Sequence, residues 1–352
     1  MHSDLYKKSL RNEDLQEERR NKQLQEQKRL RTALQDEHRQ ISNVDIAEEI
    51  ELPKRYFDSR RNKEFTKIRP MDSEWLWQRP SDLQNWLIMP YPKGQRCILI
   101  AEGACTRIYT KRGKLCCILH TRFPGDLMKP GSGTVVDCVY SRADNTIYVI
   151  DMLAFGTNDL VNCEAQFRFF WLKSRFQDYE IDLDNDKGGK KIVLLDKYDF
   201  AYIDSVEETV KRFPYWPDNK PKLDGFVFYH KESSYVFERT PLMCWLFPYM
   251  ITDVLGIPSS IRYKKPTDYI GATQYMHFLN ENEMKKIKRN NEKLKSEPMD
   301  ASLLIEMSET SDIEVDSSVE LVPNDICTTG GMELDSLEEM LAAERSLELE
   351  GK

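Results

Sequence analysis

The sequence has little with which to build a metal centre or a membrane anchor. Its 8 cysteines include an adjacent pair, Cys116 and Cys117, but no Cys-x-x-Cys, and there are only 5 histidines. No zinc or other metal site is expected, because structural zinc needs closely spaced thiolate and imidazole ligands. No apolar run approaches the roughly 20 residues of a membrane span. The N-terminus is polar and charged, so no signal peptide is expected, and the thiols are read as free in a reducing compartment, cytosol or nucleus. Positive charge is not in excess either, since the formal net charge is -8. That sum does not exclude a nucleic-acid partner, because a local basic groove can sit inside an acidic total.

Charged residues make up 31% of the chain and are unevenly spread, which divides it into regions. The stretch from Leu5 to Asn43 holds no Pro and no Gly and is dense in Arg, Lys, Glu and Gln, so 1–45 is read as a charged helical segment. Leu15, Leu24, Leu30 and Leu34 do not make a sustained heptad, and a lone helix this polar is marginal in water. The expectation is partial disorder until a partner orders it. A linker follows over 46–70, with a turn at Leu52-Pro53-Lys54. Nearly all the aromatic residues fall in 71–280, the expected folded domain. The remainder, 281–352, is basic and then acidic, and is read as a disordered tail with one amphipathic stretch, Leu334 to Leu347.

Within the aromatic region the patterns favour strands. Cys97 to Ala101, Thr106 to Thr110, Leu115 to Leu119 and Gly225 to His230 are short apolar runs, and Thr134 to Tyr140 with Thr146 to Leu153 predicts a hairpin across Arg142-Ala143-Asp144-Asn145. Cys163 to Arg175 sets Phe167, Phe170 and Trp171 on one helical face, and Val206 to Phe213 is a second helix. The fold class predicted is α+β: antiparallel sheets with packed helices.

Five local patterns occur in a telling order: Pro92-Lys93-Gly94-Gln95-Arg96, Val136-Asp137-Cys138-Val139-Tyr140, Tyr148-Val149-Ile150-Asp151, Asp224-Gly225-Phe226-Val227-Phe228 and Trp245-Leu246-Phe247-Pro248. The order resembles that of the covalent nucleotidyltransferases, the messenger-RNA guanylyltransferases and DNA ligases. Those enzymes need a lysine nucleophile with a lowered pKa. Aligned on Gly94 and Arg96, the nucleophile position holds Tyr91, and Trp245 and Phe247 stand where two lysines are expected. No catalytic residue and no cofactor is therefore assigned.

Other stretches are similar to the snurportins, adaptors for the trimethylguanosine cap of spliceosomal small nuclear RNAs. They are Ser73-Glu74-Trp75-Leu76, Arg79-Pro80-Ser81-Asp82-Leu83, Phe167-Arg168-Phe169, Phe228-Tyr229-His230-Lys231, Thr240-Pro241-Leu242 and Pro248-Tyr249-Met250. The resemblance covers about Ile50 to Asp268. It implies a nucleotidyltransferase-like domain that binds a cap without transferring it, and carries cap contacts onto Trp245, Ser73, Trp75, Arg96 and Lys111. The residue types suit that use: an indole face attracts a cationic methylated base, and Arg and Lys suit a triphosphate. By composition alone Trp245 reads as core, and Trp75 reads equally as core or pocket wall. Asp72, where the family is usually apolar, either favours the cationic base or repels the phosphates. Phe247 stands where the family is usually basic.

The resemblance further implies an importin-β-binding helix, carried by Arg19, Arg20, Lys22, Lys28, Arg29 and Arg31, in a diluted form interrupted by Glu13, Glu17, Glu18 and Glu26. It implies shuttling between nucleus and cytoplasm with an exportin for recycling, and no membrane partner. Two alternatives stand beside it: a diverged guanylyltransferase using another lysine such as Lys93, and an RNA-particle scaffold that kept the fold but lost the cap.

Overall fold

The computed structural model describes residues 12–39, 65–126, 133–181, 190–217 and 220–296. The linker expected before residue 65 and the tail beyond residue 296, with its amphipathic stretch, lie outside the described residues.

Two mainly antiparallel sheets face each other. One joins β1 (Asp72–Trp75), β12 (Arg239–Leu246), β11 (Leu223–His230), β2 (Trp86–Pro92) and β10 (Tyr198–Asp199), in that order. The other runs β5 (Leu115–Leu119), β4 (Thr106–Thr110), β3 (Gln95–Ala101), β6 (Gly133–Ser141), β7 (Thr146–Gly156) and β8 (Asn158–Asp159), with β9 (Lys191–Leu194) added in parallel to β7. The expected α+β class and the β6–β7 hairpin are what the chain forms. Strand alternation sorts the side chains into layers. Ile98 and Ile100 meet Met89, Tyr91, Val227 and Met243 between the sheets. The intervening Cys97, Leu99 and Ala101 point the other way, into a core closed by Leu172 and Phe176 of α2 (Ala165–Asp178). On the far side of the first sheet, Ile88, Phe226, Phe228 and Leu246 are covered by α3 (Ile203–Lys211), α4 (Ile251–Leu255) and α5 (Ala272–Ser296).

Several expectations are corrected. The basic stretch 281–295, read as part of a disordered tail, continues helix α5. Residues 65–70, assigned to the linker, already belong to the domain: Phe65 bridges to Lys114, and Ile68 is buried between the sheets. Helix α2 forms as expected, yet the Phe167–Phe170–Trp171 face looks outward, with Phe170 74% exposed. The buried face carries Arg168, Phe169, Leu172 and Phe176. A periodicity finds a helical face but not which side a sheet will cover, and here an arginine is among the inward residues.

The Asp82 side chain shows what holds two of the distant stretches together. Its carboxylate accepts from Trp86 Nε1 at 3.0 Å and lies 3.0 Å from His230 Nε2, so the loop before β2 is tied to the end of β11. The hydrogen bond to His230 dominates, and with that from Trp86 it outweighs the effect of burial and holds the Asp82 carboxyl down at about 2. A carboxyl depressed on folding adds stability that is complete above its unfolded value near ~4 and is lost as pH falls towards 2. Asp82→Asn is expected to flatten the acid limb of the stability curve over that window. The loss at neutral pH is about 1 kcal/mol after allowance for solvent screening at this part-exposed group. Urea unfolding at stepped pH measures it, and parallel acid limbs in mutant and wild type would refute the assignment.

Candidate functional site

Ser73 and Trp75 lie on one short strand and Trp245 on the strand beside it, while Arg96 and Lys111 come from the other sheet. β1 is an edge strand, parallel to β12, with a bulge between Ser73 and Glu74, and it sets Trp75 in register with Trp245. Just before and along it, Met71 O accepts from Arg96 Nη2 at 3.2 Å, and Asp72 pairs with Lys111 Nζ at 3.0 Å. Lys111 belongs to the β4–β5 turn and Arg96 to β3, so the segment Met71–Trp75 stitches the second sheet to the edge of the first.

Trp245 is only partly buried and packs against the core between the sheets. Two neighbours fix its ring. Tyr91 meets it edge-on, centroids 5.1 Å apart at 84°. Gly225 lies directly under it: a Cβ there would stand 2.2 Å from Trp245 Cζ2, so only glycine admits the indole at this spot. From Trp245 a belt of rings runs through Phe247 (6.2 Å) to Tyr249, stacked on Phe247 at 5.3 Å and 9°. Phe247 also touches Trp75 at 5.7 Å. Trp75 itself leans on the helix-covered face of the sheet and donates Nε1 to Asn280 of α5 at 2.8 Å. The structure thus joins the two tryptophans through Phe247.

The cations are less free than their types suggest. Arg96 forms a two-pronged pair with Asp137, at 2.7 and 2.6 Å, and lies over the Tyr91 ring at 6.0 Å. Asp137 is fully buried and also accepts from Tyr235 at 2.8 Å. Desolvation raises its carboxyl against the opposing pull of Arg96. Of the nucleotidyltransferase-like charges, Arg96 and Asp137 therefore hold each other. Lys111 is balanced by Asp72. Ser73 shows no side-chain hydrogen bond among the described residues. Tyr91, at the would-be nucleophile position, is 8% exposed, and burial raises its phenol far above the ordinary value, so it stays neutral.

Sequence reasoning left three groups here without this placement, Lys93 having been named only as an alternative nucleophile. Lys93 and Lys222 are exposed and adjacent, since Lys93 N–H donates to Lys222 O at 2.8 Å, and neither has an ion pair among the described residues. The Phe247–Tyr249 stack was hidden because a stacking partner two residues away is not a strand or helix signal. Tyr91 was noted only for what it replaces.

The N-terminal helix is the largest surprise. α1 (Asn12–His38) is docked on the domain through a polar stripe, Gln16, Arg20, Gln23, Gln27 and Arg31, spaced to share one helical face. Gln16 Nε2 donates to Trp75 O at 2.8 Å, and Arg20 Nε donates to Pro241 O at 3.2 Å with its guanidinium 5.2 Å from the Trp86 ring centroid. Thr240 Oγ1 donates to Gln23 at 2.8 Å, and Ser234 N–H donates to Gln27 at 3.0 Å. Arg31 meets Ser234 Oγ at 2.9 Å and Glu164 at 3.2 Å. Of the six bases expected to face an outside receptor, Arg20 is buried at 3% exposure and Arg19 and Arg31 are bonded to the domain. Lys22, Lys28 and Arg29 remain on the outer face, Arg29 paired with Glu26. A search for apolar heptads could not find this contact, because its buried face is made of amides and guanidinium groups that satisfy backbone carbonyls.

Arg19 grips Glu74 with two bonds, 2.5 and 2.7 Å. Burial alone would raise the Glu74 carboxyl, but Arg19 and Gln16 outweigh it and hold it below the usual range. Arg19→Glu is expected to loosen α1 by about 1 kcal/mol, some fivefold in the undocked population. Limited proteolysis within 12–39 reads this. Restoration by Glu74→Arg in the same chain is expected, and failure of the swap to protect the helix would overturn the pairing.

No helix among the described residues is long and apolar enough to cross a membrane, and among them no group of His, Cys, Asp and Glu is placed to hold a metal ion. A family model described as the Snurportin1 m3G cap-binding domain matches residues 69–248. Solved structures with partial likeness include the ligase domain of M. tuberculosis LigD, at 13% identity over 51% of this chain and 58% of that one, TM-score 0.34. The mycobacterial DNA ligase D complexed with ATP and MES matches at 13% identity over 51% and 59%, TM-score 0.35. The Chlorella virus DNA ligase-adenylate matches at 12% identity over 51% and 67%, TM-score 0.32. The chain spans less than two thirds of the first two, and at these scores the likeness says nothing of activity or ligand.

Proposed function

The chain belongs to the family of the snurportin m3G cap-binding domain, and from that premise we propose that it is a non-enzymatic adaptor that binds trimethylguanosine-capped small nuclear RNA at Trp245. The observation that carries the reading is the indole itself: partly open, backed by Gly225 and braced by Tyr91, where a nucleotidyltransferase would present a lysine. The methylated base stacks on that face by cation–π attraction. Trp75 and Ser73 serve the base edge. Arg96 and Lys111 serve the triphosphate, with Lys93 and Lys222 exposed nearby. Because Asp137 and Asp72 already balance Arg96 and Lys111, those two contribute directed donors more than net charge.

The import role is part of the same proposal. Lys22, Lys28 and Arg29 lie ready for an importin-β-type receptor, whereas Arg19, Arg20 and Arg31 reach it only when α1 leaves the domain. Shuttling between nucleus and cytoplasm and recycling by an exportin follow from the adaptor role. Pull-down of importin-β by the wild-type chain, lost when 12–39 is deleted, is the expected result.

The cap reading is tested by titrating the protein with trimethylguanosine cap dinucleotide and following tryptophan fluorescence. Saturable quenching is expected. In parallel, labelled GTP is expected to leave no covalent adduct on a denaturing gel. An adduct would favour a guanylyltransferase, and neither quenching nor adduct would favour a scaffold that has lost the cap.

A further inference from the structure

Asp224 has no part in the contacts assigned so far, yet it adjoins the platform. It follows Leu223 at the start of β11, where the register against β2 slips: Leu223 faces Pro92 and Gly225 faces Tyr91, leaving Asp224 as the extra residue of a bulge. Bulges turn one side chain out of the ladder. The next residue, Gly225, is the one on which the Trp245 benzo ring rests, so Asp224 is bonded directly to the residue beneath the indole. Its charge acts on both Tyr91 and Tyr249, rings packed against Trp245 and Phe247. Among the described residues it has no hydrogen bond and no ion pair. Burial pushes its carboxyl up, and the charge of Lys93 pulls the other way.

A partly buried carboxylate with no hydrogen bond or ion pair is under-solvated in the free protein. A cation beside it restores what burial took away, and a neutral group does not. Aromatic faces with an adjacent anion are the chemistry that selects methylated, positively charged groups. Resting on the cap reading, we infer that Asp224 senses the positive charge of the base, setting the preference of the Trp245 site for a cationic, N7-alkylated purine over a neutral one. Lys93 completes the arrangement. A cap carries a cation in its base and anions in its triphosphate, so it offers Asp224 and Lys93 each an opposite charge at once.

The test compares two ligands and two proteins. Dissociation constants are measured by tryptophan fluorescence for trimethylguanosine cap dinucleotide and for its N2,N2-dimethyl analogue that lacks the N7 methyl. Wild type is expected to prefer the N7-methylated ligand. Asp224→Asn is expected to weaken that ligand about tenfold and to leave the analogue within about twofold, collapsing the preference. Asp224→Glu keeps the charge and is expected to keep the preference, which separates charge from a general loss of fold. If Asp224→Asn preserves the ratio, or weakens both ligands equally, the inference is wrong. A wild type that binds both ligands equally overturns it without any variant. A wild type that binds neither removes the cap reading itself, a different and distinguishable failure.

Discussion

Trp245→Ala is expected to weaken trimethylguanosine cap binding by roughly ten- to a hundredfold, as removal of one base–aromatic stack does. The indole is partly exposed and also packs against the core between the sheets. Truncation therefore removes a ligand surface and some stability together, and the two must be read apart. Trp245→Phe is the control. It keeps an apolar ring over Gly225, where the absence of a Cβ leaves room, but offers a smaller and less electron-rich face. Phe is expected to fall between wild type and Ala in affinity, with a melting temperature near that of wild type. Full affinity in a folded Trp245→Ala protein would remove stacking from the account. Affinity that tracks melting temperature across the set, instead of ring chemistry, would make Trp245 a structural residue.

Arg168→Met is expected to lower stability by about 3–5 kcal/mol, the loss seen when one partner of a buried ion pair is removed. In a domain of this size that is a fall of about 10 °C in melting temperature. Arg168 and Asp151 are both 0% exposed and meet through two bonds, with Nε–Oδ1 at 3.0 Å and Nη2–Oδ2 at 2.7 Å. The remaining amino group donates to Cys163 O at 2.6 Å and Ser233 O at 2.9 Å. One side chain thus fastens α2 to β7 and to the loop that also receives Gln27 and Arg31 of α1. Deleting it strands Asp151 and two carbonyls in a dry interior. Replacing both partners with apolar residues removes the stranded charge, so the double variant Arg168→Met, Asp151→Leu is expected to melt above Arg168→Met alone. A single variant within 1 kcal/mol of wild type, by urea unfolding, would show that the pair contributes little.

These two residues also mark how far sequence reading reached. Trp245 was legible as a candidate because a motif order placed an indole where a lysine is expected. Its neighbours were not, since nothing in Gly225 or Tyr91 alone says that one will lie beneath the ring and the other meet it edge-on. Arg168 stood in a recognised stretch without a role, and the helical pattern grouped its aromatic neighbours on one face without saying which face turns inward. Burial of this helical arginine depends on a carboxylate from a strand, and Asp151 lies 17 residues away in sequence. Arg96 was assigned to phosphate by type, and Asp137 matches its charge from β6.

By itself the sequence determined the class of the fold, the β6–β7 hairpin, the strands flanking the β4–β5 turn and the family, because period-two alternation, turn residues and contiguous motifs are local properties of the chain. Tertiary structure decided which charges are free and which are spent, and the fate of the N-terminal segment. α1 has no apolar stripe, so hydrophobic periodicity predicted that it would wait for an outside partner. Its Gln and Arg side chains instead find carbonyls, a threonine hydroxyl, an amide and two glutamates on strands and loops far along the chain. Such contacts are set by directional hydrogen bonds between distant segments, and they leave no period in the sequence for a reader to find.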